Sequence, residues 1–169
     1  SDAVLATNTL LPNYEPPPEA SISARAAVLG VPPEELAYDL LLEGEGKALL
    51  LFPLANYADG DLGAVRSIML HKDTLIGLGD GGAHYGVVCD AGYPTFMLTY
   101  WTRDRASGRI PLPWVIHAMT ERPAKAVGLN DRGVIAAGYK ADINIIDYDR
   151  LRLDRPFTVH ALPNGGRRL

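Results

Sequence analysis

The stretch Asp73-Thr74-Leu75-Ile76-Gly77-Leu78-Gly79-Asp80-Gly81-Gly82-Ala83-His84 constrains the fold of this chain most: an apolar run with little alternation that ends in an acid, glycines and a histidine. A run of about 4–8 mostly apolar residues bounded by turn residues suits a strand buried on both faces, as in the parallel sheet of an α/β protein. Ligands meet such sheets at the carboxyl ends of the strands, which makes Asp80 a candidate site residue. Asp-Gly is also a common turn signal, and this stretch alone leaves both readings open.

The remaining sequence narrows the class. With 169 residues, 47% hydrophobic and 21% charged, the chain is long and apolar enough for a real core. A net charge of −4 with scattered basic residues gives no electrostatic footprint for nucleic acid. A single cysteine, Cys89, leaves no internal disulfide and no CxxC zinc site, which fits a reducing, cytoplasmic setting. No apolar run reaches the roughly 18–20 residues that span a bilayer, and no basic segment followed by an apolar one opens the chain, so no membrane partner is expected. Ser1-Asp2 stands where a methionine would mark a natural start.

In chain order, Pro12, Pro16, Pro17 and Pro18 predict an extended entry. A helix is expected over Ala20 to Leu29, with Ser21 or Ser23 near its start and Gly30 as its stop. Pro32-Pro33-Glu34-Glu35 opens a second helix, whose buried stripe is expected from Leu36, Leu40 and Tyr38 to Leu42 and which Gly44 and Gly46 end. Lys47 to Leu54 reads as a strand, Leu62 to His71 as a helix with Val65, Ile68 and Met69 on one side, and residues 74 to 80 as a second strand. That order describes a βαβ unit. Helices are then expected from about Thr95 to Arg105, from Pro113 to Met119, and from near Pro123 to Gly128 with Thr120 as a cap. From Arg132 onward, Gly133-Val134-Ile135, Gly138 to Asp142 and Ile143 to Asp147 read as short strands, which puts a boundary near residue 131 between an α/β part, 1–131, and a small β part, 132–169.

Among the chemical groups, Asp80 and His84 share one loop at a strand end. An acid there can bind a metal or take a proton from metal-bound water if other elements bring the metal. The four histidines form no HxH, HxxxH or HExxH pattern, and metal catalysis needs about three protein ligands. His71 suits a helix end, where the dipole favours a cation, and His117 reads as a packed or hydrogen-bonded core residue. Cys89 reads as a buried structural residue. Arg103 belongs to an amphipathic helix face or grips a carboxylate with its planar fork. The absence of GxGxxG, GxxxxGK[ST] and GxSxG argues against nucleotide binding and a serine-hydrolase elbow.

Gly77 to His84, then Cys89-Asp90-Ala91-Gly92-Tyr93-Pro94-Thr95 and Thr102-Arg103-Asp104-Arg105, resemble the region around the last barrel strand of N-acyl-D-amino-acid deacylases in the amidohydrolase superfamily. Arg122-Pro123-Ala124, Gly128-Leu129, Asp131-Arg132-Gly133 and Gly138 to Asp142 are similar to that superfamily's passage from barrel to small β domain, and Asn13-Tyr14-Glu15-Pro16 is similar to its entry. The resemblance implies a (β/α)8 metallohydrolase that cleaves the amide of an N-acyl-D-amino acid with a zinc-activated water. Asp80 matches the strand-eight aspartate, a proton shuttle that can approach the metal. His84, Asn56 and Arg103 follow as substrate-contact candidates. Gly79 stands where the family often has a hydroxyl residue, and the HxH, the bridging residue and the histidines of strands five and six have no counterpart here.

The resemblance therefore implies the carboxyl-terminal portion of a larger enzyme: about two strand-helix units of the barrel plus part of the β domain, inactive alone because most zinc ligands lie upstream. Its strand edges are expected to be covered by the rest of the barrel or by self-association. A cyclic-amide hydrolase of the dihydropyrimidinase or hydantoinase kind is the enzymatic alternative. A non-catalytic binding or assembly module is the other.

Overall fold

The structure, a computed structural model, describes residues 4–5, 13–52, 56–57, 59–77, 79, 84, 86 and 90–169. The chain divides into two compact units, Ser1–His71 with Asp154–Leu169, and Lys72–Leu153.

In the first unit, β1 (Val4–Leu5) pairs antiparallel with β2 (Leu50–Leu51), Val4 opposite Leu51 and Leu5 opposite Leu50. Helix α1 (Ile22–Leu29) starts at Ser21, whose Oγ accepts from the Ala24 N–H at 3.2 Å, and stops at Gly30 in the left-handed conformation. Only the hydroxyl at the cap position can reach a free amide of the first turn, so Ser21 rather than Ser23 fills this role. Helix α2 (Pro33–Gly46) opens on proline and two acids, and its regular turns break at Glu43, Gly44 and Glu45 as the glycines predict. Ile22 and Ala26 of α1 pack on Leu36 and Leu40 of α2, with Val31, Ala37 and Leu50 at the margin. Tyr38, Leu41 and Leu42 are exposed, which corrects the wider stripe expected. Tyr38 lies about 200° around the helix from Leu36, so one face cannot hold both.

Helix α3 (Gly63–Leu70) leaves its N-terminus to two carboxylates. Asp61 Oδ1 accepts from the Gly63 N–H at 2.7 Å, and Glu15, far off in sequence, accepts from the Leu62 N–H at 2.8 Å. Anions there satisfy amides that the helix cannot. Val65 and Met69 are half-buried on this helix, whereas Ile68 is exposed.

The second unit is built on helix α4 (Tyr93–Thr99), a π-helical turn (Tyr100–Asp104), helix α5 (Leu112–Met119) and helix α6 (Glu121–Ala126). Its core holds Met97, Leu98, Trp101, Ile110, Val115, Ala118 and Ala124. Phe96, Tyr100 and Trp101 form an aromatic cluster, Phe96 stacked on Tyr100 at 4.7 Å and Trp101 edge-on to both. The buried Arg105 lies 5.0 Å over the Trp101 ring and donates to the carbonyls of Ser107 and Gly108, which satisfies a charge that burial alone would penalise. Thr120 makes no side-chain cap, contrary to expectation; its hydroxyl donates back to the Ile116 carbonyl at 2.8 Å.

The expected strands mostly lack pairing. Among the described residues of the run Lys47 to Leu54, only β2 forms, paired antiparallel rather than in a parallel βαβ unit. Residues 74–77 and 79 carry no regular structure, and 78 and 80 lie outside the described residues. Gly133 to Ile135 and Ile143 to Ile146 are turns and irregular chain. An apolar run becomes a strand only beside a hydrogen-bonding neighbour, and among the described residues no other run lies alongside these.

Candidate active site

The run from Asp73 is held at its start. Arg122, at the head of α6, donates through Nη2 to the carbonyls of Lys72 at 3.0 Å and Thr74 at 2.8 Å. At its other end Gly79 lies against the short 3-10 turn Asp90–Gly92 and the first residue of α4. A Cβ at Gly79 would stand 3.1 Å from Cδ1 of Tyr93 and 3.3 Å from both Cβ and the carbonyl oxygen of Asp90. That spacing explains why glycine stands where a hydroxyl residue was the alternative: a side chain would push the turn back by a few tenths of an ångström.

Asp80, the central sequence candidate, lies outside the described residues, as does Cys89. His84 is exposed with φ 47°, in the left-handed region that histidine enters more readily than most residues. Asn56 belongs to the first unit and is also exposed and left-handed, with φ 68°. Beside it in sequence, Tyr57 has its phenol pushed up to about 12, first by burial and then by the charge of Glu15 and by Tyr14.

Arg103 is the most fully engaged of the candidates. Its Nε donates to Asp104 Oδ1 at 2.6 Å and its Nη2 to Asp104 Oδ2 at 3.1 Å. Nη1 donates to the carbonyl of Tyr148 at 2.5 Å and reaches that of Asp149 at 3.5 Å, while Nη2 also donates to that of Leu151 at 2.8 Å. The Asp104 carboxylate raises the guanidinium above its ordinary value. His117 is exposed rather than in the core: residue 117 falls on the outer side of α5, where Nε2 meets Glu121 Oε2 at 3.0 Å. Lys125 also pairs with Glu121, and this hydrogen bond is the main reason the Glu121 carboxyl is lowered.

Sequence reasoning missed three contributors: Arg122, which holds the entry of the run; Asp90, whose main chain abuts Gly79; and Tyr148. Arg122 and Asp90 lie within the family-like motifs, but nothing in a motif says which carbonyl an arginine reaches.

An open apolar hollow of about 680 Å³ lies elsewhere in the second unit, between Ile116, Pro123 and Val127 on one side and Val134, Ile143 and Ile146 on the other. Neither His84 nor Arg103 lines it. Among the described residues no three His, Cys, Asp or Glu side chains stand close enough to hold a metal, so these residues do not by themselves make a zinc site. Also among the described residues, no helix is long and apolar enough to cross a membrane.

The model of the amidohydrolase family matches residues 18–162. The chain belongs to the amidohydrolase family. Its members are hydrolases, and the family's barrel architecture fits the helical units seen here. The alpha-D-ribose 1-methylphosphonate 5-triphosphate diphosphatase of Escherichia coli (strain K12) is 40% identical over 53 residues, an overlap covering 30% of this chain and 14% of that enzyme. The matched part is thus a small share of that relative's length. No solved structure matches the chain.

Proposed function

We propose that the chain is the carboxyl-terminal part of a zinc-dependent amidohydrolase that hydrolyses the amide bond of N-acyl-D-amino acids. The observation that carries the reading is the family match over residues 18–162, which contains the Gly77 to His84 motif. Residues 1–131 are then the end of the barrel and 132–169 part of its β domain. In this reaction water adds to the acyl carbonyl and the C–N bond breaks, leaving a carboxylate and a free amine. Asp80 takes the proton from the attacking water and returns it to the leaving nitrogen. His84 contacts the substrate. Most of the zinc ligands would lie upstream of this chain, and the metal would supply a Lewis acid when bound. The enzyme acts in the cytoplasm on a small molecule, without nucleic-acid or membrane partners, and the chain is completed by the rest of its barrel or by a second copy.

Asp80→Asn in the full-length protein is expected to lower kcat by about 10²–10⁴-fold with the fold retained. The assay is a panel of N-acyl-D and N-acyl-L amino acids, with a hydantoin as the cyclic-amide arm. Full activity in the Asp80→Asn protein, or indifference to the D configuration, would overturn the reading.

A second reading rests on the Escherichia coli diphosphatase, whose name gives hydrolysis of a phosphoric anhydride. A methylphosphonate sugar triphosphate belongs in the same panel. Turnover of it, with none of the amides, favours that reading.

A further inference from the structure

Arginine has five N–H donors in one plane, and here each faces an oxygen of the chain itself: two meet the Asp104 carboxylate and three meet the carbonyls of Tyr148, Asp149 and Leu151. A substrate carboxylate would need two of these parallel donors and would have to displace partners already in place. The segment from Tyr148 to Leu153 has no helix or strand of its own, so its position is imposed from outside. Tyr148 is held at three points. Arg103 takes its carbonyl, the guanidinium lies 5.4 Å over its ring, and its hydroxyl is 2.5 Å from Thr102 Oγ1. Thr102 gives its only proton to the Leu98 carbonyl, so Tyr148 is the donor to Thr102.

The held segment reaches the candidate site through two glycines. At Gly92 a Cβ would lie 2.8 Å from Cδ2 of Leu153, so the leucine methyl occupies the space a side chain at 92 would fill. Two residues earlier, Asp90 and then Tyr93 press on Gly79. The Asp90–Gly92 turn therefore sits between Leu153 and Gly79, and Gly79 is the residue before Asp80 in the chain.

We propose that Arg103 is a positioning residue: it clamps the 148–151 carbonyls so that Leu153 keeps the Asp90–Gly92 turn seated on Gly79, and so fixes the chain that leads into Asp80. The proposal assigns Arg103 to the enzyme's own backbone rather than to the substrate, and its catalytic part rests on the deacylase reading above.

The test uses the full-length protein carrying Arg103→Gln, Arg103→Lys, Gly92→Ala, or Gly92→Ala with Leu153→Ala. Amide hydrogen exchange is followed over 90–93 and 148–153, beside kcat and KM for an N-acyl-D-amino acid. Arg103→Gln is expected to speed exchange in both segments by about tenfold or more, and to lower kcat by about tenfold with KM within about twofold. Arg103→Lys keeps the charge and part of the bonding, and falls between. Gly92→Ala perturbs 90–93 and kcat, and removing the Leu153 side chain restores them. A KM rise above about tenfold with exchange unchanged would mean that Arg103 grips substrate, which overturns the proposal. Faster exchange at 148–153 alone, with kcat intact, overturns it as well, because the clamp then stops short of Gly79. If wild type turns over no amide, the deacylase reading has failed. Exchange at 90–93 in Arg103→Gln then decides the clamp by itself: a rise supports it and no change overturns it.

Discussion

Two stretches of the second unit, residues 93–126 and 132–148, are both rich in aliphatic side chains, and they satisfy their backbones in opposite ways. In the first, α4, α5 and α6 close their own hydrogen bonds and bury Trp101, Ile110, Val115 and Ala118 almost completely. In the second, the main chain makes little beyond Tyr139 N–H to Ala136 and Lys140 N–H to Asp131, while Ile135 and Ile145 face solvent. A helix needs only its own sequence to pair its amides, whereas a strand borrows every partner from another strand. The difference teaches where stability resides: a substitution in 93–126 meets a packed core, and one in 132–148 meets little.

The largest effect is expected at Trp101, which is 1% exposed and stacked under Arg105. Trp101→Ala should cost about 3–5 kcal/mol in a denaturant melt, because the ring leaves a large cavity and strips Arg105 of its apolar cover. A loss below about 1 kcal/mol would mean that the helical region is not the stable part. Gly133 comes next, since it is pressed against the backbone at the start of α6. Its φ is 84°, and a Cβ there would lie 2.7 Å from the Glu121 Cα and 2.9 Å from the Glu121 nitrogen. Gly133→Ala should destabilise by about 1–3 kcal/mol, as backbone cannot move aside as a side-chain tip can.

The same contrast decides how much could be read from the residues alone. Among the described residues, the six α-helices follow from capping, proline placement and apolar spacing, all local signals: Ser21, Pro33, Gly30 and Gly128 act within a few residues of where they stand. A strand also shows a local pattern but depends on distant neighbours, so Ile143 to Ile146 carries a strand's composition without a strand's bonds. The same division holds for the site. The motif around Asp80 points to the family, while the contacts of the described residues in this unit join Gly79 to Asp90, Arg122 to Thr74 and Arg103 to Leu151. Two of those pairs are 48 residues apart in sequence, and none follows a local pattern.

In the first unit, Tyr57 offers a smaller, pH-dependent test of a side chain perturbed by burial and by distant residues. Its folded pKa is about 12 against an ordinary 10.0, raised by burial and by Glu15, so the native state keeps the phenolic proton after the unfolded chain has lost it. Stability from this group is complete below pH 10 and declines between pH 10 and 12. Tyr57→Phe should flatten that part of the stability profile in urea melts taken across this range; an unchanged slope would show that Tyr57 titrates normally.

The smallest effect is expected at Ile145, which is 99% exposed. Removing a buried isoleucine costs about 2–5 kcal/mol, but a side chain that already faces water has no burial to lose. Ile145→Lys in this chain should therefore change stability by less than about 0.5 kcal/mol. In the larger enzyme proposed above, the same substitution discriminates further. If the run pairs there with another strand, the lysine meets a packed neighbour and the cost rises above about 1 kcal/mol. A large cost in this chain alone, dependent on protein concentration, would show the run buried between copies and would erase the contrast between 93–126 and 132–148.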